Sequence, residues 1–314
     1  MAPVPLGGSG REQGEGEAQR PRAPAEKRRA KSKGGGARAG KQARRRDRLE
    51  AGRAALHVEP GWMLVEGRRP VLEALRAGRP VERVVVVAGA GERGTLAELL
   101  ALAAKRAVPV ETVPRSVLDT AAQTAAHQGV AALVAPIQPI ELDELLAIPL
   151  RGSQPPFFLA LDGIEDPRNL GALARSALAA GCHGMIVPRH RSAPLSAAAV
   201  KSSAGALEHL PVAEVANLAR ALERLRASGL WCIGLDAGAP ASLFELELAD
   251  EPVCVVIGGE GVGLHRLVRE TCDVLLHVPM SGQVESLNAA VAGALALFEV
   301  RRRRGGGQAR PRIG

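Results

Sequence analysis

Short apolar runs alternate with segments of helical apolar spacing over most of this chain. Where apolar residues recur every three or four positions a helix is predicted, and short β-branched runs predict strands. In the first half, strands are predicted at residues 81–87, 108–113 and 129–134, and helices at 69–77, 95–106 and 116–122. Strands that alternate with helices predict a sheet covered by helices.

The same alternation begins again at Phe157. Strands are predicted at residues 157–161, 184–187, 230–235, 253–257 and 274–278, and helices at 170–180, 193–204, 215–227, 264–270 and about 286–303. This order is typical of a mostly parallel α/β sheet. Five prolines between residues 136 and 156 surround a short helical piece and indicate a linker. The pattern therefore predicts one α/β domain at 54–135 and a second at 157–304.

Charge is concentrated at the two ends of the chain. Residues 1–50 hold 14 basic and 6 acidic residues, and residues 301–314 add six arginines, whereas 51–300 hold 21 basic and 27 acidic residues. Residues 1–53 are poor in large apolar side chains, so a disordered basic tail is predicted there, with a flexible tail at 305–314. Basic ends on an acidic body indicate a polyanion partner such as nucleic acid, although a solubilising tail gives the same composition.

Cysteine usage and hydropathy bear on the compartment. None of the four cysteines (Cys182, Cys232, Cys254 and Cys272) forms a Cys-x-x-Cys pair or has the spacing of a zinc site. Buried free thiols in a reducing cytoplasm are therefore predicted, with no metal. No apolar stretch reaches the length of a membrane span, and no signal peptide is visible. With no Tyr, four Phe and two Trp, RNA contact should depend on Arg, Lys and backbone rather than base stacking.

Two glycine-rich turns follow apolar strands in the last quarter of the chain. One reads Cys254-Val-Val-Ile-Gly-Gly-Glu-Gly-Val-Gly263, and the other His277-Val-Pro-Met-Ser-Gly-Gln-Val-Glu-Ser-Leu-Asn288. At each turn the backbone can approach a ligand closely. A dinucleotide-binding loop, however, opens its domain and reads Gly-x-Gly-x-x-Gly. The late position and the different glycine spacing argue against a dinucleotide enzyme.

A third turn, Asp162-Gly-Ile-Glu-Asp-Pro-Arg-Asn-Leu-Gly171, joins a strand to a helix. The polar residues of all three turns have ordinary structural interpretations. Asn169, Ser286 and Asn288 are good helix caps, and Glu260 suits the start of the helix that follows it. Arg175 lies in an Ala/Leu-rich helix, either on the solvent face or held for a phosphate, and helical spacing alone does not decide between the two.

Taken together, the turns resemble the SpoU (TrmH-like) branch of the SPOUT RNA 2′-O-ribose methyltransferases. Three blocks carry the resemblance in the family's order and spacing: residues 166–171 with Arg175, residues 257–263 and residues 278–288. The segment 201–206, with Glu208, is similar to the family's intervening segment. Residues 65–75 and 126–130 are similar to its substrate-binding domain, which is of the ribosomal-protein L30e/L7Ae type.

The resemblance implies an α/β sheet whose C-terminal part is threaded through a loop as a trefoil knot. S-adenosylmethionine would lie bent in that knot. It also implies a homodimer with the active site at the subunit interface. The residues matching the family's donor-binding positions are Gly258, Val278 and Leu287 by their backbone, with Met280 nearby. Those matching its catalytic and RNA-facing positions are Asn169, Arg175, Glu260, Ser286 and Asn288.

The activity implied is 2′-O-ribose methylation of a guanosine in 23S ribosomal RNA, and the small first domain favours ribosomal RNA over tRNA. Two alternatives stay open: a tRNA 2′-O-methyltransferase of the same family, and a non-catalytic RNA-binding protein of ribosome assembly. Family proposals make the arginine here at position 175 the base. An arginine pKa above 12 conflicts with that role, so Arg175 can instead hold a phosphate and stabilise the developing alkoxide.

Overall fold

The computed structural model describes residues 33–91, 93–124, 126–152, 154–282 and 286–305. Helix α1 spans Lys33–Ala55, so the predicted disorder of residues 1–53 is wrong for 33–53, and residues 1–32 lie outside the described part. The scarcity of large apolar residues in this segment argues against a hydrophobic core of its own. It does not argue against a helix, because Ala and Arg both have high helix propensity. The end of α1 also packs: a Cβ on Gly52 would lie 2.3 Å from the backbone nitrogen of Ala121.

A four-stranded sheet with three helices forms the first module. Its elements are β1 (Met63–Glu66), α2 (Arg68–Arg76), β2 (Val81–Val87), α3 (Thr95–Lys105), β3 (Val110–Val113), α4 (Arg115–Ala121) and β4 (Val130–Val134). The strand order is β1-β4-β2-β3, with β2 and β3 parallel and the other pairs antiparallel. The predicted helices and strands of this region are confirmed. Strand β1 was missed, because four residues give too short a pattern and its pairing partner lies far along the chain.

A seven-stranded sheet with its helices forms the second module. The elements from the connecting segment onward are α5 (Leu142–Ala147), β5 (Phe157–Asp162), α6 (Pro167–Ala180), β6 (Gly184–Pro188), α7 (Ala197–Ser202), β7 (Val212–Val215), α8 (Leu218–Ala227), β8 (Trp231–Leu235), β9 (Ala241–Ser242), β10 (Val253–Gly258), α9 (Arg266–Thr271), β11 (Val274–His277) and α10 (Ala289–Arg303). All strand pairs in this sheet are parallel. The predicted mostly parallel α/β sheet is confirmed, while the trefoil knot stays a prediction.

Strand β10 occupies the centre of the sheet, whose order is β7-β6-β5-β10-β8-β11-β9. It pairs with β5 on one side and β8 on the other. Because the strands are parallel, the turns after β5, β10 and β11 lie at the same edge. Helix α10 packs closely on α6: a Cβ on Gly293 would lie 2.4 Å from Leu173 Cδ2. These contacts bring the three sequence blocks to one place.

Three ion pairs join the first module to the segment around α7. Arg79 Nη1 lies 2.5 Å from Glu208 Oε1, and both side chains are almost fully buried. The other two pairs are Lys201 with Glu66, at 2.9 Å, and His209 with Glu73, also at 2.9 Å. Burial raises the pKa of Glu208. From Asp47 onward the described residues form one compact unit, and a domain boundary at 136–156 stays a prediction.

The four cysteines are free thiols, three of them buried and Cys272 half-buried. Burial raises the pKa of Cys232 and of Cys272 to about 12. The thiolate is the reactive form of cysteine, so these groups are inert at neutral pH. Cys232, Cys254 and Cys272 pack in the apolar layer between the sheet and helices α8 and α9, whereas Cys182 belongs to a different apolar cluster.

Candidate functional site

The turns after β5 and β10 touch through their backbones. The turn after β10 closes on itself where Gly263 N donates to Gly259 O at 3.0 Å. A Cβ on Gly259 would lie 2.3 Å from the carbonyl oxygen of Gly163, in the turn after β5. Any side chain at position 259 would force the two turns apart. The sequence predicts that the glycines of this turn let the backbone approach a ligand. Gly259 is instead required for the contact between the two turns.

Three polar side chains, one from each sequence block, form a hydrogen-bonded cluster. Glu260 Oε1 accepts from Asn169 Nδ2 at 2.7 Å and from Asn288 Nδ2 at 2.6 Å. Asn288 Nδ2 also lies 3.1 Å from Asn169 Oδ1. We call Asn169, Glu260 and Asn288 the amide–carboxylate cluster. It joins parts of the chain that are up to 119 positions apart.

Helix α10 fixes the orientation of Asn288. Asn288 is its N-cap, and its Oδ1 accepts from the backbone N–H groups of Ala290, at 3.0 Å, and Val291, at 3.3 Å. Since the oxygen faces the helix, the amide nitrogen must face Glu260. Capping and cluster formation are thus two functions of one side chain. Ser286, predicted within the last helix, precedes it.

Two capping interpretations from the sequence are wrong. Asp166, not Asn169, caps α6, since its carboxylate accepts from Arg168 N at 2.8 Å. Asn169 lies in the first turn of α6, which frees its side chain for the cluster. Glu260 does not cap the helix that follows it, because α9 begins at Arg266 with His265 as its N-cap.

A cavity of about 710 Å³, the strand-end cavity, opens at the carboxyl ends of β8, β10 and β11. Its lining includes all four predicted donor-binding residues and three of the predicted catalytic ones: Gly258, Val278, Met280 and Leu287, with Glu260, Ser286 and Asn288. Residues 283–285 of the third block lie outside the described residues. The cavity combines apolar side chains with backbone polar groups, as small-molecule sites do.

The strand-end cavity also contains residues that the sequence interpretation missed. Asp236 and Ala237 follow β8 and line it, as does His277. Although burial opposes it, hydrogen bonds from Arg269 and from the backbone of Gly238 lower the pKa of Asp236, so its carboxylate is ionised at neutral pH. In parallel sheets, ligands bind at the carboxyl ends of strands. That rule, applied to β8, could have found Asp236.

Arg175 is the one predicted catalytic residue that the fold leaves apart from the others. Its side chain is exposed on α6, does not line the strand-end cavity and makes no ion pair or hydrogen bond with the residues that the structure describes. An exposed guanidinium without a carboxylate partner is free to take a ligand anion.

Two further concavities border the cluster. The side cavity, of about 390 Å³, lies between the turns after β5 and β10 and has Asn169, Glu260 and His265 in its lining. The α10 groove, of about 700 Å³, is almost wholly apolar and runs from Asn169 and Asn288 along α10 to Phe298. Both features were invisible in the sequence, because each is built from segments far apart in the chain.

Within the described ranges, no group of three or more His, Cys, Asp or Glu side chains is arranged to hold a metal ion. None of the described helices is both long and apolar enough to cross a bilayer.

Comparison with known proteins matches both modules. Residues 156–298 match the SpoU rRNA Methylase family, and residues 64–140 match the RNA 2′-O ribose methyltransferase substrate-binding family. A Mycolicibacterium vanbaalenii protein, named an uncharacterized tRNA/rRNA methyltransferase, is 43% identical over 85% of this chain and 84% of its own. A Bacillus subtilis protein named "Putative TrmH family tRNA/rRNA methyltransferase YacO" is 41% identical, and the match covers 76% of this chain and 95% of that protein. The chain belongs to the SpoU methylase family.

Solved SpoU structures share the fold. The SpoU methyltransferase AviRb of Streptomyces viridochromogenes, in complex with AdoMet, is 30% identical and has a TM-score of 0.64. The match covers 79% of this chain and 92% of AviRb. A solved RNA 2′-O ribose methyltransferase is 26% identical, with a TM-score of 0.66. The match covers 82% of this chain and 95% of that protein's chain. The predicted family and α/β fold are thereby confirmed.

Proposed function

We propose that this SpoU protein transfers a methyl group from S-adenosylmethionine to the ribose 2′-oxygen of a guanosine in 23S ribosomal RNA. The observation that carries the proposal is the amide–carboxylate cluster. It brings Asn169, Glu260 and Asn288 within hydrogen-bonding distance of one another beside a cavity of small-molecule size. Both family matches and the donor-bound AviRb structure support the methyl donor and the RNA substrate.

The strand-end cavity fits the methyl donor chemically. S-adenosylmethionine has an adenosine, a sulfonium centre carrying the methyl group and an amino acid tail. Apolar residues such as Ile257, Leu276 and Val278 line the cavity and suit the adenine ring. Backbone groups of Gly258, Val278 and Leu287 supply hydrogen bonds, and Met280 lies beside them. The Asp236 carboxylate adds a negative charge that suits the cationic donor.

When the ribose 2′-oxygen attacks the methyl carbon, the bond from that carbon to the sulfonium sulfur would break, S-adenosylhomocysteine would leave, and the hydroxyl proton would pass to solvent water. The protein must therefore align that oxygen and stabilise its developing charge. The amide–carboxylate cluster and Ser286 orient the ribose. Arg175, as a permanent cation, holds the phosphate next to the target ribose and stabilises the developing negative charge. The role of a proton-accepting guanidine is not needed in this scheme.

We propose further that the protein acts as a homodimer through the α10 groove. Phe244, Val291 and Phe298 are about half exposed along it, and exposed apolar patches of this kind mark protein interfaces. Because Asn169 and Asn288 lie at one end of the groove, a second copy seated there adjoins the cluster. An active site at the subunit interface follows from this arrangement.

The first module favours ribosomal RNA, and the free thiols favour a cytoplasmic site of action. The relatives' names cover tRNA as well as ribosomal RNA, so a tRNA 2′-O-methyltransferase is the second candidate. The third candidate, a non-catalytic protein of ribosome assembly, would have no need of the glycine-rich turns. Their presence in the sequence argues against it.

Labelled methyl transfer separates these functions. The protein is incubated with labelled S-adenosylmethionine and either a 23S ribosomal RNA transcript or a set of tRNA transcripts. We expect label in the 23S transcript at a single guanosine, mapped as a 2′-O-methyl by its resistance to alkaline cleavage. Label in tRNA alone would refute the substrate, and label in neither, with no donor binding by calorimetry, would refute the enzyme.

A further inference from the structure

The side cavity lies next to the amide–carboxylate cluster and shares a wall with the strand-end cavity. Glu260 and Gly259 line both, so the turn after β10 separates the two spaces. Asn169 lines the side cavity but not the strand-end cavity. An acceptor can therefore reach Asn169 and Glu260 through the side cavity while a donor occupies the other. Its volume of about 390 Å³ is within the usual range for small-ligand pockets.

His265 is held in this cavity by a buried carboxylate. Its Nδ1 lies 2.9 Å from Asp162 Oδ1, and its backbone N–H donates to Asp162 Oδ2 at 2.7 Å. Asp162 is only 6% exposed. A carboxylate is an acceptor, so Nδ1 carries a proton and Nε2 is the ring nitrogen left for a ligand. Nε2 has no hydrogen bond with the described residues, and the side chain is 42% exposed.

Arg191 brings a positive charge to the same cavity. It follows β6 and lines the side cavity, and it makes no ion pair with the described residues. Three carboxylates line the same cavity: Asp166 is already paired with Arg168, Glu260 is hydrogen-bonded to Asn169 and Asn288, and Glu165 is exposed and unpaired within the described part of the chain. A guanidinium that is not neutralised is suited to a phosphate, which it binds through two N–H groups.

We infer that the side cavity is the binding site of the target nucleotide, an inference that rests on the proposed function. Arg191 binds a phosphate of the RNA backbone at this site. His265 Nε2, oriented by Asp162, makes a hydrogen bond with the nucleotide. Both residues serve RNA binding, and neither belongs to the donor site.

The salt dependence of RNA binding tests Arg191. Each phosphate contact adds about 0.7 to 0.9 to the slope of log affinity against log salt concentration. In filter binding to a 23S ribosomal RNA transcript, Arg191→Ala should weaken the affinity and lower the slope by nearly one. Arg220→Ala is the matched control, because Arg220 is exposed on α8 and lines neither cavity. Equal slopes for Arg191→Ala and the wild type would overturn the phosphate contact.

His265→Asn tests the second contact and preserves the fold. Asn is a favoured N-cap residue, and its backbone N–H still reaches Asp162. Loss of one hydrogen bond should weaken RNA binding, so that the RNA dissociation constant and the KM for RNA both rise about tenfold. The kcat should be nearly unchanged. The dissociation constant for S-adenosylmethionine, measured by calorimetry, should not change. An unchanged RNA affinity, or an equal loss of donor affinity, would overturn the assignment.

These readouts separate the inference from the function on which it rests. Filter binding needs no turnover, so the variants can be ranked even if the wild-type protein transfers no methyl group to the 23S transcript. Absence of methyl transfer by the wild-type protein would refute the proposed reaction. A wild-type protein that methylates the transcript while neither variant alters RNA binding would refute the side-cavity inference alone.

Discussion

Asn288 Nδ2 donates to Glu260 Oε1 at 2.6 Å, and this contact joins the two glycine-rich turns. The same Glu260 oxygen accepts from Asn169 at 2.7 Å. One carboxylate thus holds two amides, one at the start of α6 and one at the start of α10. Residues of both helices also line the α10 groove. The cluster therefore lies at the surface that we assign to dimerisation.

Removal of the shared acceptor should damage catalysis more than stability. In Glu260→Ala, the amide nitrogens of Asn169 and Asn288 lose their common acceptor, and of the cluster only the 3.1 Å contact between the two amides remains. We expect kcat for methyl transfer to fall by about 10- to 100-fold, while the thermal midpoint changes little because Glu260 is exposed. Glu223→Ala, an exposed glutamate of α8 away from the cavities, is the control. Equal activity of both variants would contradict the role of the cluster.

The two functions of Asn288 can be separated by substitution. Asn288→Ser keeps a capping oxygen but is too short to reach Glu260, so methyl transfer should fall while the free energy of unfolding stays close to that of the wild type. Asn288→Ala loses the cap as well, so its free energy of unfolding should be about 1 kcal/mol lower than that of Asn288→Ser. Denaturant unfolding and initial rates measure the two effects. Full activity of Asn288→Ser would exclude the amide from the mechanism.

Arg175 is predicted to act through its planar guanidinium. Arg175→Lys keeps the charge but loses the two-pronged contact with a phosphate, so we expect a loss of at least about tenfold in kcat/KM. The loss should not be recovered at high pH, since no deprotonation of Arg175 is required. A pH–rate profile of both proteins checks this. Near-normal activity of the lysine variant would contradict any role that requires a guanidinium.

The buried ion pair between Arg79 and Glu208 should contribute strongly to stability. Arg79→Ala leaves the Glu208 carboxylate buried without its partner, which should cost about 3 kcal/mol of the free energy of unfolding. The double variant Arg79→Met with Glu208→Leu should recover much of this loss, because no charge is left buried. Arg224→Ala breaks an exposed pair with Asp143 and should cost less than about 1 kcal/mol. Similar losses for Arg79→Ala and Arg224→Ala in urea unfolding would contradict this prediction.

The α10 groove can be tested by a charge placed on its apolar lining. Phe298→Asp should shift the protein from dimer to monomer in sedimentation, because burial of a carboxylate in place of an apolar ring is costly. Leu267→Asp changes an equally exposed leucine of α9, outside the groove, and should leave the dimer intact. A wild-type protein that sediments as a monomer would refute the dimer itself.

The sequence predicted the strands and helices well, because most have clear apolar periods. It failed at β1, β7 and β9, which are two to four residues long and exist only through pairing with distant strands. The sequence motifs singled out Asn169, Glu260 and Asn288, which the fold brings together. Asn288 caps α10 as its residue type suggests, whereas the caps of α6 and α9 are Asp166 and His265. Side-chain partners such as Asp162 and His265, which are 103 positions apart, leave no trace in local pattern.

The central position of β10 also has a consequence for synthesis of the chain on the ribosome. Its neighbours β5 and β8 are made first and do not pair with each other. Until residues 253–258 emerge, β5 has an unpaired edge and β8 has no partner at all, because its other neighbour, β11, follows β10 in the chain. Such edges are sites of aggregation, and pairings this far apart in sequence form slowly. Completion of the sheet must therefore wait until β11, at residues 274–277, has been translated.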